Sequence, residues 1–355
     1  MLNPNINNVV LSEEEYILYS KHLIIDTIGL NGQKRLKQAR ILLIGAGGLG
    51  CPASLYLTTS GVGYIGIVDY DYIDKSNLNR QILYRNKDVN QLKVICAKKQ
   101  LEYFNHYCKI IIHKYKLNKD NAFHLIQYYD IILDATDNFT ARYIIDDICC
   151  KLHKIHIYGA IQLFESQVSV LNYKNSISYS SIYSKLLNLK DSNCNHHGTL
   201  GVITGYTAIL QVIETIKIIL GIGEITYNEL LISNLLNRSI TRKKIEKSLF
   251  YAINSNYSTK YHEYVVSKMK FYYFKKSFNY NIVLIDIRDN YEFISTKLRY
   301  SINIPLNKFK YKKTIVFLQN SIKKKIVFIY CSKMYRSFIV SKILDSNYIS
   351  HYILK

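Results

Sequence analysis

The stretch ILLIGAGGLGCP, Ile41 to Pro52, decides the fold of this chain. Ile41 to Ile44 form an apolar run short enough for a buried strand, and it leads straight into GAGGLG, Gly45 to Gly50. Cys51 to Ser60 then reads as a helix, with Pro52 near its first turn, where proline costs least. Gly45, Gly47 and Gly50 fit G-x-G-x-x-G between a strand and a helix. In that setting the first glycine allows the tight turn, the second lets a phosphate approach the backbone, and the third lets helix and strand pack closely. The helix N-terminus supplies N–H donors to phosphate. Asp69 closes the next apolar run, IGIVD, nineteen residues after Gly50, and is expected to accept ribose hydroxyls. The pattern predicts a nucleotide; its alternative is a tight turn without a ligand.

Outward from this core, strands and helices alternate. Residues 12–38 carry apolar positions at helical spacing and predict one or two helices. Leu92 to Phe104 predicts another. KIIIH (Lys109 to His113) and DIILDATD (Asp130 to Asp137) are strands. The fold class is α/β, with a mostly parallel sheet covered on both faces. Ligands in such sheets bind beyond the carboxyl ends of the strands, so Gly45, Asp69 and Asp137 are expected to converge there. The first domain is read as residues 1–240 and a polar, charged linker as 241–259. A smaller α/β domain follows at 260–355, with strands IVLID (Ile282 to Asp286) and KIVFIY (Lys325 to Tyr330) and a helix over Ser337 to Leu344.

A hydrophobic content of 48% in 355 residues supports packed cores and argues against disorder. The net charge of +21 accompanies 33 Tyr, no Trp and only 3 Pro, which is the residue usage of an AT-rich coding sequence. Most of the basic excess is therefore assigned to solvated faces. The alternative is an acidic partner, protein or nucleic acid. No basic block alternates with aromatics, so nucleic acid is not expected. Seven scattered cysteines without a Cys-x-x-Cys pair suggest a reducing compartment and no four-cysteine zinc site. Leu200 to Gly223 is apolar, but Gln211, Glu214 and Lys217 at helical spacing make it an amphipathic helix rather than a membrane span. Glu13, Glu14 and Glu15 do not suit a targeting peptide.

A plain dinucleotide site has no need of the cations that follow. SNLNRQ (Ser76 to Gln81) contains Arg80, Lys93 comes next, and ATDN supplies Asp137 and Asn138. Arg80 and Lys93 are surface cations on one reading. On the other they clamp the charge that develops on a phosphate in transfer, with Asp137 holding Mg2+ through a hard carboxylate oxygen.

GAGGLGCP, GVGYIGIVDYD, SNLNRQ and TDN occur in order from Tyr16 to Asn138, and GTLGVITGYTAILQVIETIK follows at Gly198 to Lys217. Together they resemble the ubiquitin-activating-type adenylyltransferases of the MoeB/ThiF family, over about the first two-thirds of the chain. The resemblance implies a Rossmann-like adenylation domain. It also implies ATP-dependent adenylation of the C-terminal glycine of a small ubiquitin-fold sulfur carrier ending in Gly-Gly. By the same resemblance Gly48, Asp69, Ser76, Asn77, Leu78, Asn79, Arg80, Lys93, Asp137 and Asn138 line the ATP site, and the enzyme is a homodimer. Lys21 stands where the family carries an arginine that reaches into the partner's site; lysine keeps the charge and loses the planar fork. Ser178 and Ser181 stand where many members carry the first cysteine pair of a structural zinc site, so no zinc is expected.

Cys194, in NCNHHGTLG, occupies the position at which two-domain members carry a cysteine tied to thioester or persulfide handling. In the second domain LIDIRDNYEF, NIPL and CSKMYRS resemble a rhodanese domain, in which the loop cysteine, here Cys331, carries a persulfide. A thiol facing a helix N-terminus gains N–H donors, and Arg336 adds positive charge. The expected chemistry is adenylation followed by sulfur transfer from a Cys331 persulfide, fed by a donor such as a cysteine desulfurase. The carrier thiocarboxylate would serve molybdopterin synthesis, or thiamine or tRNA thiolation. Two rivals are an NAD-dependent oxidoreductase and a degenerate scaffold that binds without turnover. Composition suits an organelle-encoded protein, as in a plastid, or a bacterial cytoplasmic one.

Overall fold

The computed structural model describes residues 2, 5–183, 198–245, 265–267, 271, 282–321, 325–332 and 334–354. They fall into two compact units, one before and one after about residue 247.

The first unit opens with three helices rather than one or two: α1 (Glu13–Leu18), α2 (Ser20–Leu23) and α3 (Gly29–Gln38). Ser12 and Glu15 form a reciprocal cap at the start of α1. The breaks fall at Tyr19, whose side chain is buried, and before Gly29, which takes φ +54°. Then come β1 (Arg40–Ile44), α4 (Gly50–Thr59), β2 (Tyr64–Val68), α5 (Lys93–Phe104), β3 (Lys109–His113), α6 (Lys119–Ile126) and β4 (Ile131–Asp134). They are followed by α7 (Phe139–Lys151), β5 (Ile155–Gln162), β6 (Glu165–Leu171), α8 (Tyr179–Ile182), α9 (Gly201–Leu220), β7 (Glu229–Asn234) and β8 (Ser239–Lys244). The sheet order is β3-β2-β1-β4-β5-β6-β7-β8. It is parallel from β3 to β5 and antiparallel from β5 to β8.

The apolar runs are continuous because both faces of the strands are covered. Ile41 and Leu43 pack with Leu57, Val94, Leu101 and Val212 on one side, while Leu42 and Ile44 pack with Leu125, Ile145 and Cys149 on the other. The helix α9 is long and apolar enough to cross a membrane by composition, but its buried face carries Gln211 and Glu214. Gln211 Nε2 donates to the carbonyls of Asp134 (2.8 Å) and Ile157 (3.2 Å), so this helix is bonded into the sheet. Arg242 to Lys244, read as linker from their charge, instead pair with β7 as part of the edge strand β8.

The second unit contains β9 (Val265–Val266), β10 (Ile282–Asp286), α10 (Asn290–Ser295), β11 (Ser301–Asn303), α11 (Lys312–Ser321), β12 (Ile326–Tyr330), α12 (Met334–Ser346) and β13 (His351–Leu354). Its sheet, in order β11-β10-β12-β13-β9, is wholly parallel.

Candidate functional site

The carboxyl ends of β1, β2 and β4 meet around the glycine turn. Gly45 has φ +104°, and a Cβ there would lie 2.6 Å from the Ala135 carbonyl oxygen. A Cβ on Gly50 would lie 2.0 Å from the carbonyl oxygen of Gly45. Glycine is required at both by contact, and at Gly45 also by the left-handed backbone. Gly47 differs: among the described residues the only atom near its missing side chain is Gln81 Nε2 at 3.8 Å, so no described residue covers that face of the turn. Gly48 is backed by Thr204 of α9, and Gly201 at the start of that helix lies against Asn79 and Arg80.

Asp69 holds the turn from below. Its Oδ2 accepts from the Ala46 N–H and its Oδ1 from the Asp71 N–H, both at 2.8 Å. Burial raises its carboxyl above the ordinary value, although the Lys93 charge and the two N–H donors pull the other way. Its first task is thus to brace Ala46, which spacing alone does not reveal. Tyr84 supports the same residue from the other side, donating to its carbonyl at 2.7 Å. Cys51 also points its thiol at that carbonyl, 3.4 Å away, and burial pushes the thiol up to about 12, so it stays protonated.

The SNLNR segment forms a short helical turn opened by Asp74, whose side chain accepts from the Ser76 N–H. Leu78 packs against the core, while Ser76 and Asn79 are exposed. Asn77 Oδ1 accepts from Gln81 at 2.7 Å. Arg80 is half-buried and donates to the Ser76 carbonyl and to Asn79 Oδ1, each at 3.0 Å. Lys93, the first residue of α5, is buried and pairs with Asp71 at 2.8 Å.

The strand β4 stops at Asp134 rather than running to Asp137. Asp134 Oδ1 accepts from the N–H (2.9 Å) and hydroxyl (2.7 Å) of Thr136, which turns the chain out of the sheet. Asp137 is therefore exposed on the following loop, and Asn138 caps α7 by accepting from the Ala141 N–H at 2.8 Å. Beneath the loop Asp134 meets His156 (3.2 Å) and Arg142 (3.9 Å), all three buried. Arg142 Nη2 also donates to the Thr136 carbonyl at 2.8 Å. Burial pushes the Asp134 carboxyl up, but the His156 hydrogen bond and the Arg142 charge outweigh it and leave it below the ordinary value. The only sequence signal for this support is an acid and a cation on either side of TDN.

Other candidates lie elsewhere. Lys21 is exposed on α2, and neighbouring Tyr19 packs on Gly61, beyond the far end of α4. Cys194 lies outside the described residues. Ser178 and Ser181 contact each other at 2.9 Å, and Asp146 accepts from the N–H groups of Tyr179 and Ser180. Among the described residues no group of three His, Cys, Asp or Glu converges as metal ligands do. Cys331 follows β12 and is buried among Ile285, Ile287, Val340 and Leu344. Arg336, expected to add positive charge near this thiol, has two acids among its partners. It pairs with Glu292 at 2.7 Å and Asp289 at 3.8 Å, because those acids sit at the start of α10.

An exposed acid, a half-buried guanidinium and a buried ammonium thus surround a turn with one open glycine face. The set fits a polyphosphate and a hard divalent cation. Comparison with known proteins agrees in kind. A profile of the ThiF family matches residues 19–249. A "probable molybdopterin-synthase adenylyltransferase" of Gracilaria tenuistipitata var. liui is 43% identical over 355 residues, 99% of each chain. A "probable adenylyltransferase/sulfurtransferase MoeZ" of Mycobacterium tuberculosis is 40% identical over 247 residues, 67% of this chain and 62% of its own. Among solved structures, PaaA superposes with a TM-score of 0.58 at 23% identity, over 69% of this chain and 77% of its own, and so shares its fold.

Proposed function

Because the chain belongs to the ThiF family, we propose that it adenylates the C-terminal glycine of a small ubiquitin-fold sulfur carrier of the molybdopterin-synthase type. The observation that carries this reading is the meeting of the open Gly47 face, Arg80, Lys93 and Asp137 at one end of the sheet. The carrier carboxylate attacks the α-phosphorus of ATP, the bond to the β-phosphate oxygen breaks, and pyrophosphate leaves. Arg80 and Lys93 neutralise the charge gathering on the leaving group. Glycine-turn N–H groups and the N-terminus of α4 orient the phosphates. Asp137 would hold Mg2+, which supplies further charge neutralisation when bound. Holding the two anions in line is worth about 7–11 kcal/mol in well-oriented reactions.

The test is ATP–pyrophosphate exchange with Mg2+, with and without a carrier ending in Gly-Gly. Exchange that needs the carrier and falls about 100- to 1,000-fold in Asp137→Ala, the scale of a lost electrostatic contact, supports the reading. ATP binding without exchange for any carrier would favour a non-catalytic scaffold. NAD binding in place of ATP would favour an oxidoreductase.

Two further parts belong to the same proposal. Val202, Ile209 and Ile213 form an exposed apolar stripe on α9, which supports a homodimer in which Lys21 serves the partner's site; sedimentation of the purified chain checks the assembly. Sulfur transfer from a Cys331 persulfide is supported by the place of that thiol at the end of an interior parallel strand, ahead of α12. Thiocarboxylate formation by Cys331→Ser from a persulfide donor would remove that role. The residue usage, together with the likeness to the Gracilaria protein, supports a plastid-encoded protein.

A further inference from the structure

Lys93 and Asp71 form a pair whose burial is unequal. The Lys93 side chain is 7% exposed and that of Asp71 48%, with Nζ 2.8 Å from Oδ2. The same two residues are also joined through the backbone, since the Lys93 N–H donates to the Asp71 carbonyl at 3.0 Å. Asp71 is itself fixed by its N–H bond to Asp69, which holds Ala46 of the glycine turn. The turn, both acids and the lysine are therefore one hydrogen-bonded chain.

Lys93 also opens α5, a helix of 12 residues, where the macrodipole favours an anion. A buried ammonium at a helix N-terminus is a strong place for an anionic oxygen, and the Asp71 carboxylate already occupies it. Because it is half-exposed, it leaves at low cost when a better anion arrives.

We propose that Asp71 is an internal competitor for Lys93. Its carboxylate stands in for a phosphate oxygen while the site is empty, and an incoming polyphosphate must displace it. Asp71 then sets selectivity: ligands rich in phosphate charge overcome the exchange, poorer ones do not, and pyrophosphate leaves faster because the carboxylate returns. This inference rests on the adenylyltransferase reading and assigns Asp71 a positioning role acting through Lys93.

The experiment measures binding of inorganic pyrophosphate and of AMP, with Mg2+, to the full chain and to Asp71→Asn. The amide keeps the size and removes the charge. Pyrophosphate is expected to bind about three- to tenfold more tightly to the variant, the scale of a partly exposed ion pair, with a smaller change for AMP. The gain should vanish in Lys93→Ala/Asp71→Asn, because a residue acting through Lys93 has no effect without it. Asp71→Glu restores the charge and should return wild-type affinity, which a purely structural role does not predict. Asp71→Ser is carried in parallel so that loss of fold in one variant leaves the other. Unchanged or weaker pyrophosphate binding in the folded variants overturns the inference. If the wild-type chain binds neither pyrophosphate nor ATP, it is the adenylyltransferase reading that has failed.

Discussion

At Ile44 and at Tyr330 an interior parallel strand ends and the chain turns into a helix, but the two turns differ in what they leave open. After Ile44 four glycines let the backbone fold tightly on itself, and no described residue covers the Gly47 face. Arg80 and Asp137 both reach solvent around it. After Tyr330 the loop into Met334 has no glycine. Its Cys331 is 6% exposed within an apolar cluster, and Arg336 pairs with two acids. Topology alone places a ligand beyond such strand ends. The contrast teaches that topology offers a place, and that missing side chains and accessible charge turn the place into a site.

The largest expected effect breaks the first turn. Gly45→Val forces a β-branched residue into φ +104° with its Cβ 2.6 Å from the Ala135 carbonyl oxygen. The variant should lose ATP binding and fail to accumulate as a soluble protein. A soluble variant that binds ATP normally would show that the contact is not limiting and that the open face does not depend on this geometry.

The next effect sharpens the difference in charge. Arg142 supports the loop below Asp137, and Arg142→Met leaves Asp134 buried without its cation. Removing one partner of a buried pair costs about 3–5 kcal/mol, readable as a lower urea midpoint. The pH dependence follows from the depressed Asp134 carboxyl. A lowered folded-state value means stability that is complete above the unfolded carboxylate value, about 3.9, and is lost as pH falls through the folded one. Asp134→Asn should therefore flatten the acid side of the stability profile. An unchanged profile would assign acid unfolding to other carboxylates.

The sheet, the glycine turn and the cation set are legible in the sequence because each rests on local rules. Buried strands read as apolar runs, tight turns as glycine, and Arg80, Lys93 and Asp137 as charges at the ends of such elements. What escapes is non-local. That Asp69 braces Ala46, or that Asp134 gathers Thr136, Arg142 and His156, depends on contacts up to 23 residues apart across neighbouring strands. No spacing rule encodes them. The end of β4 is hidden for a related reason: a Thr136 hydroxyl and N–H captured by Asp134 end a run that hydrophobicity alone would extend. The pairing of Arg336 is hidden because CSKMYRS contains no acid. Asp289 and Glu292 arrive from the start of α10, in the case of Glu292 from 44 residues earlier.

The smallest expected effect tests the second turn. If the Cys331 thiol is as enclosed as the burial of its residue implies, alkylation by a neutral reagent should be slow in the folded protein and should become fast in denaturant. Cys331→Ser should leave ATP–pyrophosphate exchange within about twofold of wild type, a few tenths of a kcal/mol in the barrier, because adenylation makes no use of that thiol. Rapid alkylation under native conditions would mean that the loop opens on its own and exposes the thiol to a persulfide donor. The two turns would then differ in dynamics rather than in access. Slow alkylation that accelerates when the adenylated carrier is present would place the opening under the control of the first reaction. In that case the glycine turn, open from the start, would act first, and the turn without glycine would respond only after a carrier has been activated.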